Sequence, residues 1–414
     1  MLLIYRILIN LLLILSPIII LIRLLKKKED PSRFKEKFCI FTKKRLPGKL
    51  IWFHGASVGE IKSIVPLLHK LNDDVNINQI LITTNTISSE KIISQINLKK
   101  ITHQYFPIDL RIFSKIFIDY WKPSASFFID SEIWPNIINK LHKEKIPIIL
   151  LNGRISEKSF KKWSKIKYFS KKIFNKLDLC LSSNLKTKKY LKTLGAKNIK
   201  YLGNLKFTQF EEQTSSINKT LEKFIKGRII WCAASTHFNE EHIIGQVHKN
   251  LKIKYPNLLT IIIPRHINRV GNIKKDLENN NLKVHIENEK SKINKKTDIY
   301  LVNSYGNSKT YFKICKNVFL GGSLIKHGGQ NPLEAVRFGS AIIHGKYIAN
   351  FQEIYNFLKN NKISKLVKNL NEITTHLDKK FSEKKNTLEI KKKLDKISQR
   401  ILTLTIREIY FYIE

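Results

Sequence analysis

Acidic residues are scarce in this chain. Only 33 Asp and Glu stand against 75 Lys and Arg, a formal charge of +42 over 414 residues. Such a charge attracts phosphorylated substrates, anionic lipid headgroups or nucleic acid. Lys far outnumbers Arg, and Ile and Asn are abundant, a bias that an AT-rich genome produces without a specific role for most lysines. No RNP-type segment, zinc finger or helix-turn-helix signature accompanies the charge, so nucleic acid is not an expected partner. Cysteine is nearly missing. Cys39, Cys180, Cys232 and Cys315 are far apart, form no CxxC, and read as small core residues in a reducing compartment. There is no D-x-D pair, and His237 and His242 flank Glu240 and Glu241 in the wrong order for a zinc helix. Neither a metal nor another cofactor is expected. The absence of G-x-G-x-x-G argues against a dinucleotide site.

A hydrophobic content of 43% excludes a disordered chain, and the length suits two domains of roughly 200 residues each. Ile7 to Ile22 is almost wholly apolar, broken by Asn10, Ser16 and Pro17, bracketed by Arg6 and Arg23, and followed by Lys26, Lys27 and Lys28. A membrane-crossing helix needs about 20 residues, so this stretch is marginal. No small-x-small cleavage site precedes the lysines, which weighs against a signal peptide. The expectation is an uncleaved anchor over 1–28, spanning or lying in the interface, with the lysines keeping the body of the protein cytoplasmic.

From residue 50 onward, short β-branched runs alternate with helical stretches. Candidate strands are Leu50–His54, Ile80–Thr84, Ala125–Ile129, Ile146–Leu151, Leu179–Ser182, Ile229–Ala233, Leu258–Ile263, Ile299–Val302, Val318–Gly321 and Ala341–His344. Continuous apolar strands between helices predict parallel sheets covered on both faces. Two such series give an α/β chain with Rossmann-like domains over 29–209 and 210–414, the polar stretch Phe210–Thr220 serving as linker and the Lys-rich end folding as helices of the second domain. The halves begin alike, Ile51–Glu60 and Ile229–Glu241 each running strand, small-residue loop, acidic helix start.

Five motifs sit at strand ends, where open α/β sheets bind ligands. His54-Gly55-Ala56-Ser57-Val58-Gly59-Glu60 places Glu60 in a first helical turn, either as a reactive carboxylate or as a complement to the helix dipole. Gly55–Gly59 also matches the G-x-S-x-G elbow of hydrolases with Ser57 as nucleophile, although no earlier strand is present to supply the second oxyanion donor. Asp130-Ser131-Glu132-Ile133-Trp134-Pro135-Asn136 offers two carboxylates beside an aromatic ring, or a helix cap with Pro135 at the first position. Gly203-Asn204-Leu205-Lys206-Phe207 supplies a lysine suited to charge building on a leaving phosphate, unless it is one more solvated lysine. Pro264-Arg265-His266 supplies a guanidinium fork for phosphate. In Gly321-Gly322-Ser323 and His327-Gly328-Gly329-Gln330-Asn331-Pro332-Leu333-Glu334, a glycine-rich turn enters a helix with Asn331 as N-cap and Pro332 at the first helical position. That is a variant capping box whose free amides would also suit a nucleotide phosphate.

In order and spacing these motifs resemble the Kdo (3-deoxy-D-manno-octulosonic acid) transferases, inverting glycosyltransferases of GT-B type. The resemblance covers nearly the whole chain and includes Trp52–Glu60, Glu132-x-Trp134-Pro135-Asn136, Asn152-x-Arg154-x-Ser156, Leu194-Gly195-Ala196 and Ser235-Thr236-His237. It implies two Rossmann-like domains facing across a cleft, an anchor in the inner membrane at its cytoplasmic face, a CMP-Kdo donor, a lipid IVA acceptor and contact with anionic membrane lipids. It further implies Glu60 as general base, Glu132 and Lys206 as transition-state stabilisers, and Pro264, Arg265, Tyr305, Gly306, Asn307, Asn331, Pro332, Leu333 and Glu334 as the CMP contacts. The chain departs from the family pattern at Asn303 and Asn307, where acidic residues are usual, and at Thr208, where Asp is common. The rival readings are a GT-B envelope enzyme using a UDP-sugar and a non-catalytic, membrane-tethered binder of anionic lipid or nucleic acid.

Overall fold

A computed structural model describes residues 2–209, 217, 219–289, 293–383 and 387–414. The chain divides into two compact units, one of Met1–Phe210 with Ile397–Glu414, the other of Glu211–Lys396.

The first unit is built on seven strands: β1 (Leu50–His54), β2 (Gln79–Thr84), β3 (Ile101–Tyr105), β4 (Ala125–Ile129), β5 (Ile148–Gly153), β6 (Leu179–Ser182) and β7 (Ile199–Tyr201). They pair in parallel in the order β3-β2-β1-β4-β5-β6-β7. The second holds β8 (Ile229–Thr236), β9 (Leu258–Pro264), β10 (Val284–Ile286), β11 (Ile299–Leu301), β12 (Asn317–Leu320), β13 (Ala341–His344) and β14 (Ser364–Leu366). Its order is β10-β11-β9-β8-β12-β13-β14, with β11 inserted between β9 and the edge strand β10. In each sheet the first strand pairs with the second on one side, and the chain later returns to pair on its other side. The points of reversal, β1/β4 and β8/β12, are where such sheets open a crevice at the carboxyl edge. Every residue of β1 and β4 is buried, as continuous apolar strands covered on both faces must be. Around them Trp52, Phe117, Trp121 and Phe128 form the core of the first unit, while Trp231, Ile262, Phe319 and Ile343 centre the second.

One sequence expectation is corrected here. Residues 397–414 belong to the first unit, not to the second domain. The reason is the apolar stripe of the helix Thr387–Tyr410 and the turn after it, in which Ile401, Ile409 and Ile413 are buried. Gly203 accommodates that helix, because a Cβ there would stand 2.6 Å from the Ile401 side chain, and its φ of +120° is one that glycine alone adopts freely. Ion pairing of Lys200 with Glu408 (2.6 Å) and a bond from Asn198 to the Tyr412 hydroxyl (3.1 Å) hold the end of the chain. The expected linker Phe210–Thr220 falls for the most part outside the described residues.

At the other end, Leu2–Leu25 is helical with Pro17 inside it. Among the described residues no single helix is long and apolar enough to cross a membrane. Leu2–Leu11 and Leu13–Leu25, bent 47° from one another, meet that requirement together by length and composition. A proline nitrogen cannot donate to the carbonyl four residues back, and its ring crowds that carbonyl. Here the Leu13 carbonyl takes the Ser16 hydroxyl instead, at 2.7 Å.

Candidate active site

Three carboxylates gather at the β1/β4 reversal point. Ser57 caps the helix Val58–Asn72, and its side chain accepts from Glu60 N–H, while Glu60 answers with its carboxylate in a full capping box. Glu60 Oε2 accepts from Ala56 N–H (2.7 Å), and Oε1 accepts from the Ser57 hydroxyl (2.6 Å). That hydroxyl is therefore spent on Glu60, with no histidine bonded to it among the described residues, so Ser57 is not built as a hydrolase nucleophile. Burial, with the nearby charges of Glu132 and Asp130, lifts the Glu60 carboxyl above its usual range, against the hydrogen bonds from Ser57 and Ala56.

The chain leaves β4 through Asp130, which adopts a left-handed φ of 62° and turns the next residues across the sheet edge. Asp130 lies 3.7 Å from Lys206 Nζ. Burial raises its carboxyl, and the charges of Lys206 and Arg154 restrain the rise. Glu132 Oε2 meets His54 Nε2 at 3.0 Å and accepts from Trp134 Nε1 at 2.9 Å. Burial alone would raise this carboxyl, but the His54 and Trp134 contacts outweigh it and hold Glu132 below the usual range.

Lys206 is placed from β5. A bulge against β6 turns Asn152 into a left-handed φ of 51°, and its side-chain oxygen accepts from Leu205 N–H at 2.9 Å. Asn204 then caps Lys206 N–H at 2.9 Å, in the short helical turn Leu205–Thr208. The helix after Glu132 does begin with Pro135, as the sequence suggested, but its N-cap Trp134 has no capping bond. Asp109 supplies the missing cap from a distance, accepting from Asn136 N–H (3.0 Å) and Ile137 N–H (2.8 Å). No local pattern announces this role.

In the second unit the amides of Gly322, Ser323 and Leu324 are taken up inside the protein. The carboxylate of Glu240, fully buried, accepts from Gly322 (2.7 Å), Ser323 (3.2 Å), Leu324 (3.1 Å) and His237 (3.0 Å) N–H groups. Gly321 must be glycine because a Cβ would stand 2.4 Å from the Ser235 carbonyl, at the point where β8 bulges. The helix start fits the sequence reading: the Asn331 side chain accepts from Leu333 N–H at 3.2 Å, and Pro332 between them already has helical backbone angles before the five-residue helix Leu333–Arg337.

The second unit does bring cationic groups together, at the ends of β8, β9 and β12. Arg265 is exposed on the loop after β9, its N–H bonded to the Thr236 carbonyl at 3.0 Å. The His237 ring lies 3.9 Å from that of His327 and 5.9 Å from that of His266. Burial, and then the neighbouring His327, His266, Arg269 and Arg265, push the His237 imidazole down to about 4. Gln330 bonds His237 at 3.3 Å, which puts Asn331–Glu334 beside the cluster. Tyr305, Gly306 and Asn307 form an exposed loop after β11, where Asn307 bonds Ser304 at 3.1 Å. Among the described residues no group of three or more His, Cys, Asp or Glu is arranged to hold a metal.

Two tandem Rossmann-like units, with carboxylates at one reversal point and basic side chains at the other, define a fold of GT-B type. Residues 32–209 match the family model described as 3-deoxy-D-manno-octulosonic-acid transferase (kdotransferase). The chain belongs to the Kdo transferase family. It is 34% identical over 365 residues to the 3-deoxy-D-manno-octulosonic acid transferase of Rickettsia bellii, covering 87% of this chain and 86% of that one. With the Haemophilus influenzae enzyme of the same name it shares 32% identity, over 84% of each chain. Among solved structures, a UDP-GlcNAc 2-epimerase from Neisseria meningitidis (TM-score 0.55, 13% identity, 88% of this chain and 99% of that one) has the same fold. So does a putative UDP-N-acetylglucosamine 2-epimerase from Listeria monocytogenes (TM-score 0.56, 12% identity, 88% of this chain and 97% of that one). At such identities they speak for the fold alone.

Proposed function

We propose that this Kdo transferase takes Kdo from CMP-Kdo and places it on lipid IVA, a lipid A precursor, with inversion at the anomeric carbon. The observation that carries the reading is Glu60, half-buried at a sheet reversal point between a capping serine and two further carboxylates. A glucosamine hydroxyl of the acceptor loses its proton to Glu60 as its oxygen bonds to the anomeric carbon. The bond from that carbon to the cytidylate oxygen breaks, and its electron pair leaves with CMP. Lys206 and Glu132 balance charge around the reacting sugar, while Arg265 and the loop 331–334 of the second unit hold the nucleotide. Tyr305, Gly306 and Asn307 are candidates for a further CMP contact, with Gly306 able to serve through its backbone.

The location is part of the reading. The helix Leu2–Leu25 exposes Leu3, Ile7, Leu8, Leu11, Ile14, Ile18 and Leu21, and Lys26, Lys27 and Lys28 follow it. An anchor in the inner membrane, with the body on the cytoplasmic face, would confine the search for a lipid acceptor to two dimensions. Each lysine near anionic headgroups contributes about 1 kcal/mol of attraction.

Purified full-length protein incubated with lipid IVA and either CMP-Kdo or a panel of UDP-sugars, read by mass spectrometry, tests the proposal. Addition of Kdo to lipid IVA from CMP-Kdo alone is the expected result. Transfer from a UDP-sugar, or binding of anionic lipid without any transfer, would overturn it.

A further inference from the structure

We infer that His54 and Glu132 share one proton and work as a neutral pair, so that of the three carboxylates at this sheet edge Glu60 alone has no cationic partner. The inference rests on the reading of Glu60 as the base, and it assigns His54 as a positioning residue rather than one that touches substrate.

Hydrogen counting carries it. His54 is fully buried at the end of β1. Its Nδ1 lies 3.1 Å from the Thr83 carbonyl oxygen and 3.0 Å from Thr83 Oγ1. The carbonyl can only accept. The hydroxyl accepts from Trp52 Nε1 at 2.9 Å and has the Phe53 carbonyl at 3.4 Å for its own hydrogen. A bare Nδ1 would set its lone pair against the Thr83 carbonyl oxygen, so Nδ1 carries a hydrogen. On the ring's other side Nε2 stands 3.0 Å from Glu132 Oε2. An ionised carboxylate has no hydrogen to give, and an imidazole protonated only at Nδ1 has none to give from Nε2. A second proton must lie between them. Whether it sits on nitrogen or oxygen, the pair is net neutral.

The surroundings keep water from the pair. The His54 ring stacks on Phe106 with centroids 3.7 Å apart and meets the edges of Phe128 and Trp134, so little water is there to replace a lost partner. The titratable groups next to Glu132 are Glu60 and Asp130, while Lys206 and Arg154 lie by Asp130. Asp130 has its cation in Lys206, at 3.7 Å. Glu60 accepts only from Ala56 and Ser57 among the described residues, and none of those donors is charged. The His54 proton thus offsets part of the Glu132 charge that Glu60 feels. Without the His54 proton it would face a bare like charge, which makes a carboxylate hold its own proton more tightly.

The test is the pH profile of kcat/KM. His54→Gln keeps a side chain that can bond Glu132 but cannot carry the second proton. Its acid limb should move up by about one unit, so that activity well below the limb falls by up to about tenfold further than activity at pH 8. In the double variant His54→Gln with Glu132→Gln both members are neutral, and the limb should return to its wild-type position even where kcat is reduced. An unmoved limb in a folded His54→Gln protein overturns the inference. Proton NMR provides a readout independent of activity and of the folding of His54→Gln. Wild type should show two downfield imidazole N–H signals from His54, and Glu132→Gln only the Nδ1 signal; the same signals in both would equally overturn it. If Glu60→Gln keeps full activity, the reading of Glu60 fails, yet the NMR comparison still decides whether the proton is shared.

Discussion

Glu240 and Gly322 are joined by a 2.7 Å bond from the glycine N–H to the buried carboxylate. The same carboxylate gathers Ser323, Leu324 and His237, so one side chain on the helix Glu240–Lys252 fixes the loop that leaves β12 and the start of its own helix. The loop is held by an anion belonging to the protein. Glu240→Ala strips an acceptor from four buried N–H groups. It should destabilise the second unit by about 3 kcal/mol and raise the KM for the donor more than it lowers kcat. Urea unfolding and steady-state kinetics would check this; wild-type stability would show that the loop is held some other way.

Glu60 should be separable from folding. Gln completes a capping box as Glu does, so Glu60→Gln should keep wild-type stability while losing about 10²–10⁴ in turnover. The base must be ionised to act. Because burial and the charges of Glu132 and Asp130 raise its pKa, the wild-type rate should be full at neutral pH and fall, as pH drops, through a value above the ordinary glutamate range. A purified Glu60→Gln protein with near-normal turnover would remove Glu60 from the role.

Asp109 gives a stability prediction with a definite sign. Burial, opposed by its hydrogen bonds from Tyr5 and the helix amides, raises its carboxyl from 3.8 to about 6. A folded-state value above the unfolded one means that the native state binds the proton more tightly. Its contribution is therefore favourable below about pH 4 and is lost as pH rises through 6, by about 3 kcal/mol at most. Denaturation of wild type and Asp109→Asn at pH 4.5 and 6.5 should show wild type losing stability relative to the variant. Parallel behaviour would mean that the carboxyl titrates normally.

The N-terminal helix makes a further test of location. Ile14 and Ile18 are exposed, at 74% and 60%. Replacing both with Glu should sharply reduce flotation with vesicles rich in anionic lipid, since a charged side chain costs about 3 kcal/mol at the centre of a membrane-inserted helix. Tyr5 and Arg6, which bond Asp109 (2.6 Å) and Asn136 (3.1 Å), are left intact by this change. Unchanged flotation would point to the basic surface rather than the helix.

The strands that escaped sequence reading share one property. β3, β7, β10 and β14 are the four edge strands of the two sheets. Ile199–Tyr201 and Ser364–Leu366 are polar, only three residues long and partly exposed, so they carry no continuous apolar run to betray them. The ten interior strands were legible because both faces are covered. In the same way Glu60, Glu132, Lys206 and Arg265 could be singled out from strand-end position, whereas Glu240 was set aside as a failed metal motif and Asp109 drew no notice. Their partners are backbone amides far away in sequence, and such amides leave no residue pattern.

Local chemistry by itself determined that this chain folds as two parallel α/β units with reactive groups at strand ends, because burial on both faces and a helix start are written in neighbouring residues. Only the tertiary structure decided which strands flank each reversal point, that the last turns of the chain return to the first unit, and that Glu240 rather than a ligand occupies the glycine loop. Those outcomes depend on contacts between residues tens to hundreds of positions apart, and no short stretch of sequence contains both partners.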